Sequence, residues 1–420
     1  MSRLGEKLAA LPGAPVDGVD RPDEFFTTRG LLRNPFPPAR TIWPEVLYDQ
    51  EEAVQRLTDA IGEVIGASPE RRAIGILGGT GEGKTHFLRH ARLEFETLCK
   101  GRALRFALVE FTAGSGKIQA LVRSALEAAD ESCQGRGAPD FITAVIDAVC
   151  VLQGGPLRDD PLGAIHLSDL REALRGLAYA REPEPRPRAR TPRFDFEALR
   201  SLFRRWLSGG ALDTTERKHL RVTDRLGTGS MAVRVLTELF SFARSLGVLQ
   251  GMLLCLDEIE TLFVGAQKIS SVQSFLLDLR YLFDEASRYS LLLLSAATSK
   301  GADYLQQVNQ PVYQRLGFEQ GARVQLRPIE GTLDAKNFAL EYIREEHERW
   351  RKAPESSTRL AHPPEALLSD KEIADAYERA GGLLPARRIS VSQSSMLDAL
   401  HALVNEKHRH AATRAGPRSG

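Results

Sequence analysis

The octapeptide at 78–85, GGTGEGKT, holds the residue types that phosphate chemistry requires, in a workable order. Gly78, Gly79, Gly81 and Gly83 carry no side chain to keep an anion from the backbone N–H groups, and Thr80 and Glu82 fill the remaining loop positions. Lys84 can reach the β- and γ-phosphate oxygens, and the Thr85 hydroxyl can ligate Mg²⁺ at a helix start. The strand-like AIGILG at 73–78 leads into the loop and the helical THFLRHARLEF leads out. A purely structural glycine turn would leave Lys84 and Thr85 unexplained. The second signal is MLLCLDEIE, an apolar run that delivers Asp257 and Glu258 at a strand end. An aspartate there can hold the water shell of magnesium, and an adjacent glutamate can orient or deprotonate an attacking water. Alone, such a pair is usually a solvated turn. With the phosphate loop it predicts ATP and Mg²⁺ as cofactors, and hydrolysis rather than binding alone.

Positioning these groups requires strands that end on one edge. Five apolar runs read as strands, at 73–78, 104–112, 251–259, 289–298 and 322–329. Runs this continuous suit a parallel sheet buried on both faces, with helical crossovers between the strands. The spacing predicts an amphipathic helix over 49–65 and, between the second and third strands, a largely helical insertion at about 113–250. Helical patterns within it fall at 119–130, 140–152, 168–178, 196–206 and 231–246. REPEPRPRARTPR at 181–193 reads as an exposed, extended loop with some capacity for phosphate-backbone contact. Residues 1–45 read as an extended strap docked on the body, 46–330 as the nucleotide-binding domain, 331–410 as a helical lid and 411–420 as a disordered tail.

Composition narrows the function. Fifty-six Lys and Arg against 55 Asp and Glu leave a formal charge of +1, so binding to nucleic acid would have to come from local patches. Four cysteines without a C-x-x-C spacing argue against a zinc ribbon or a disulfide framework. No apolar run approaches the length of a membrane span, and the start carries no signal-peptide pattern. A cytoplasmic protein without a membrane partner is the expectation.

The order GGTGEGKT, LLCLDEIE, SAATS, YQRL and LPARR resembles the AAA+ ATPases, within them the origin-recognition-complex-like branch. The segments at 206–222 and 233–263 look more narrowly like the bacterial ATP-binding proteins of BREX-type phage-defence islands. The resemblance covers about 35–330. It implies an α/β P-loop NTPase fold with a five-stranded parallel sheet, and it gives further residues roles. Thr298 would contact the γ-phosphate or the attacking water. Arg315 would act as an arginine finger on a neighbouring subunit, which implies a homo-oligomer. Arg387, read at a helix start in the lid, would sense the γ-phosphate, with Arg388 as its alternative. Two positions depart from the pattern: Thr-Ser stands where many AAA+ members have Asn, and few residues follow the lid for a winged-helix DNA-binding domain.

The function expected is therefore a self-assembling, Mg²⁺-dependent ATPase that acts on DNA or a DNA-processing partner, plausibly among phage-defence proteins. A signalling or scaffold NTPase switch with no DNA substrate is the alternative. A metabolic kinase ranks below both, since it would need neither Glu258 nor a lid.

Overall fold

The computed structural model describes residues 23–38, 41, 43–134, 138–153, 160–181, 194–223, 226–263, 269–353, 360, 362–381, 383–384, 387–388 and 390–414. The chain divides into two compact units, Leu47–Pro328 and the combination of Met1–Val46 with Ile329–Gly420.

The Leu47–Pro328 unit is an α/β fold on a five-stranded parallel sheet of order β2-β3-β4-β1-β5. Its strands are β1 (Arg71–Leu77), β2 (Phe106–Thr112), β3 (Gly251–Asp257), β4 (Ser290–Ala297) and β5 (Val324–Gln325). Burial on both faces explains the unbroken apolar runs. Along β3, Met252, Leu254 and Leu256 face one core cluster while Leu253 and Cys255 face the other, and β4 alternates likewise. The second cluster is closed by α2 (Glu51–Val64) and α3 (Lys84–Gly101); the short α1 (Glu24–Thr27) belongs to the other unit. Pairing of Leu77 with Ala297 and of Thr112 with Asp257 brings the carboxyl ends of β1 to β4 to one edge. The chain leaves β1 toward β2, on the far side of β4, while β5 flanks β1 on the other. Such a switch in strand order opens a crevice at the carboxyl ends.

The connection from β2 to β3 carries six helices among the described residues: α4 (Ile118–Gln134), α5 (Phe141–Gln153), α6 (Ser168–Arg181), α7 (Phe196–Leu207), α8 (Thr214–Leu220) and α9 (Gly229–Ser245). Their apolar faces are continuous with the core beneath the sheet. Of the Arg/Pro segment at 181–193 only Arg181 is among the described residues; 182–193 lies outside them. Three helices follow β3 and β4: α10 (Ile269–Glu285), α11 (Ser299–Val308) and α12 (Gln310–Arg315). The fifth strand is a correction to the sequence reading, which expected 322–329. Val324 and Gln325 register with β1 and the Leu326 N–H still reaches the Leu77 carbonyl, but Pro328 has no N–H to donate, and Ile329 begins the other unit, within which it exchanges backbone hydrogen bonds with Val391.

That other unit contains α1 (Glu24–Thr27), α13 (Thr332–Lys352), α14 (Asp370–Arg379), α15 (Gln393–Arg414) and a hairpin of β6 (Leu383–Leu384) with β7 (Arg387–Arg388). The N-terminal segment lies on these helices. Asn34 Nδ2 donates to Asn405 Oδ1 at 2.9 Å, His401 Nδ1 lies 2.6 Å from the Phe36 carbonyl, and His347 Nδ1 lies 2.8 Å from that of Gly30. Trp43 is held between the Arg33 and Arg349 guanidinium groups, each 4.6 Å from its ring. Residues 411–414, read from sequence as part of a disordered tail, continue α15, and 415–420 lie outside the described residues. No helix among the described residues is long and apolar enough to cross a membrane.

Candidate functional site

The loop 78–85 joins β1 to α3, and its backbone explains its glycines. Gly81 and Gly83 adopt φ of 79° and 91°, the left-handed region that side chains disfavour, and Gly83 is the residue preceding α3. The loop folds on itself through its two charged residues. Lys84 Nζ donates to the carbonyls of Gly78 (3.0 Å) and Gly79 (2.9 Å), which places the ammonium over the loop. The Gly79 N–H donates to Glu82 Oε2 at 2.5 Å. A Cβ on Gly79 would stand 2.6 Å from Glu82 Oε1, so a side chain there would have to displace the Glu82 carboxylate from the loop. An anionic oxygen thus already accepts from a loop amide, the same contact a phosphate oxygen would make.

The adjoining strand ends carry the acids. Thr85 Oγ1 donates to Asp257 Oδ2 at 2.5 Å, joining the helix start after the loop to the end of β3. Asp257 Oδ1 accepts from the Glu258 N–H at 2.8 Å, so both carboxylate oxygens are oriented. Glu258 has φ of 54°, an uncommon value for a residue with a side chain. Its carbonyl accepts from the N–H (2.9 Å) and hydroxyl (2.6 Å) of Thr261. Its carboxylate is exposed and has no hydrogen bond or ion pair among the described residues. The donor set suits Mg²⁺ better than a metal caged by protein alone. No group of three or more His, Cys, Asp or Glu side chains among the described residues could hold an ion, whereas Mg²⁺ is ordinarily held by one or two protein oxygens together with phosphates and water.

Thr298 closes the same edge at the end of β4. Its hydroxyl oxygen accepts from the Gly301 N–H at 3.1 Å and caps α11, while its own N–H donates to Glu260 Oε2 at 3.2 Å. Glu260 was not singled out in the sequence, although it is the last letter of DEIE. It ties the segment after β3 to the end of β4.

Two arginines carry the remaining predicted roles. Arg315 ends α12, and its Nε donates to Asp284 Oδ1 at 2.9 Å. Asp284 also receives Arg280 at 3.4 Å. The terminal nitrogens of Arg315 have no hydrogen bond among the described residues. Arg387 corrects the sequence reading: with Arg388 it forms β7, paired antiparallel to β6, and the nearest helix starts at Gln393. Leu384 and Arg387 are thus cross-strand partners, not residues of a helix start. The side chains of both arginines lie outside the described residues.

Three of the four cysteines sit where the reactive thiolate is disfavoured. Cys99, Cys133 and Cys255 are buried, and burial raises all three thiols, that of Cys133 to about 11.

No protein-family model matches the chain, and no curated protein matches it significantly. Among solved structures it is similar to the ORC2 protein of Aeropyrum pernix in ADPNP-ADP complexes, at 12% identity over 89% of this chain and 71% of that one, with a TM-score of 0.41. It is also similar to the ADP form of that protein (13%, 88% and 72%, TM-score 0.38). A third is the A. pernix ORC1 protein in complex with DNA (14%, 89% and 70%, TM-score 0.33). The fold class stands on the strand order and the loop geometry above.

Proposed function

We propose that this chain is a Mg²⁺-dependent AAA+ ATPase that assembles with copies of itself and acts on DNA or a DNA-processing partner, with phage defence as its setting. The observation that carries the reading is the 2.5 Å contact between Thr85 and Asp257, which sets the phosphate loop beside the unpaired carboxylate of Glu258. Lys84 and the loop amides bind and orient the triphosphate. Thr85 and Asp257 would hold Mg²⁺, which when bound neutralises phosphate charge. Glu258 accepts a proton from the attacking water and orients it, and its freedom from any competing partner suits that task. Thr298 can donate its hydroxyl hydrogen toward the water or the γ-phosphate while its oxygen caps α11.

Arg315 is proposed as the finger that serves a neighbouring copy. The ion pair with Asp284 restrains the Nε side of the guanidinium and leaves the terminal nitrogens for a phosphate, so little ordering entropy remains to be lost. Arg387 stays a proposed γ-phosphate sensor, placed on a hairpin rather than a helix. The DNA clause rests on the motif order shared with the origin-recognition branch, and the defence setting on the segments at 206–222 and 233–263.

The test is ATP turnover with Mg²⁺, followed against protein concentration and with double-stranded DNA added. Turnover that rises with both supports the whole reading. Turnover indifferent to DNA would move the chain to a nucleotide switch, and no turnover at any concentration would remove the ATPase assignment.

A further inference from the structure

Apart from the phosphate loop, the Leu47–Pro328 unit holds a cleft of about 500 Å³ between the turn after β2, the start of α9 and one side of α10. Its size falls within the roughly 300–1,000 Å³ of small-ligand sites. Asp278, on α10, lines it. The residue is only 7% exposed, yet its carboxylate, open to the cleft, has no hydrogen bond or ion pair among the described residues. Burial lifts it to about 6, so it is charged at neutral pH. Buried carboxylates are ordinarily paired, because an isolated charge in a low-dielectric site is costly. Elsewhere in the same unit the rule holds: Asp130 receives Arg204 at 2.5 Å and the Phe141 N–H at 2.9 Å.

The surroundings specify what would pair with it. A Cβ on Gly229 would stand 1.9 Å from Asp278 Oδ2, so the first residue of α9 has to be glycine for the carboxylate to sit there. Ile118 and Phe275, both buried, supply an apolar floor, and exposed Ser274 with half-buried Gln119 supplies hydrogen-bonding groups. Lys117 is the other charged lining residue; it is exposed and makes no ion pair with Asp278. We infer that this cleft binds a cationic head carried on an aliphatic stem, the chemistry of an arginine or lysine side chain or of a free alkyl amine, with Asp278 as its counter-charge. The apolar floor takes the methylenes and the serine rim takes the remaining N–H groups. No residue of the phosphate loop lines the cleft.

Calorimetric titration of the full chain without nucleotide tests this, using Nα-acetyl-arginine methylamide and putrescine as probes at pH 7.5. We expect saturable binding of at least one probe at millimolar concentration or tighter. Asp278→Asn should weaken it about tenfold or more, and so should Ser274→Phe, which fills the cleft from an exposed position and keeps the carboxylate. Binding should also weaken at pH 5, as the carboxylate takes up a proton. Preference for the arginine probe assigns the site to a polypeptide's side chain, and preference for putrescine to a free amine. No saturable binding of either probe, or binding undiminished in both variants, overturns the proposal.

Discussion

Two acids of the helical insertion, Asp130 and Asp140, and two acids outside it, Glu258 and Asp278, are managed in opposite ways. In the insertion, Asp140 receives Arg200 and the N–H (2.9 Å) and hydroxyl (3.0 Å) of Thr143, while Asp130 receives Arg204 and the N–H of Phe141. Every charge is matched, as a buried ionic cluster requires if it is not to cost stability. At the end of β3 Glu258 is unpaired, and on α10 Asp278 is unpaired and buried. The same unit can satisfy its acids where only folding is at stake. Where it leaves them open, a ligand, a water or a partner is the natural counterpart. Arg315 lies between these extremes, with one side of its guanidinium paired and the other open.

If the open side of Arg315 serves a neighbour, Arg315→Ala should cut turnover by about 10³-fold or more with ATP affinity unchanged. Mixing that variant with Lys84→Ala should restore part of the activity, because intact loops then meet intact fingers. Concentration-independent turnover with no rescue would place Arg315 with the structural charges of the insertion instead. Glu258→Gln should slow hydrolysis by about 10²–10⁴-fold and retain nucleotide, read by single-turnover assay beside equilibrium binding. Unaltered turnover there would show that its unpaired state has no chemical purpose.

Asp140→Ala addresses the matched side. It removes a helix cap and leaves Arg200 without its main partner, and should cost about 2–4 kcal/mol in denaturant unfolding with little change in ATP affinity. Lys84→Ala should weaken ATP binding by about 1.5–3 kcal/mol, roughly 10–100-fold in Kd. An affinity within about threefold of the wild type would remove the phosphate-loop assignment.

The smallest effect concerns Asp278. Its folded-state value of about 6 lies above the ordinary 3.8, so the native state binds its proton more tightly than the unfolded state does. Above pH 6 the buried charge lowers stability; below about pH 4 both states are protonated and the cost disappears. Asp278→Asn should therefore raise stability at pH 8 by about 1–3 kcal/mol, and the gain should shrink steadily as the pH falls to 4. A gain that did not vary with pH would mean that the carboxylate is already paired in solution.

Much of the fold was legible in the chain because its signals are local. The phosphate loop, the Asp257–Glu258 strand end, the first four strands and most long helices follow from glycine placement, apolar runs and periodicity, which need no distant partner. Helix α8 was legible and overlooked: Asp213 accepts from the Glu216 N–H (2.8 Å) while Glu216 reaches back to the Asp213 N–H (2.9 Å), a capping box written as DTTE. Other outcomes had no local signal. Whether 322–329 is a long strand depends on how far β1 can offer backbone partners, and Arg387–Arg388 pair with Leu383–Leu384 where these arginines suggested a helix start. Glu260 and Asp284 look like ordinary surface acids until Thr298 and Arg315 are brought to them. By itself the sequence determined the chemistry available at the loop and the strand end, because those residues are neighbours along the chain. Only the tertiary structure decided which acids are matched and which stay open, because the pairing of a charge depends on residues that meet from distant elements and on the water their packing excludes.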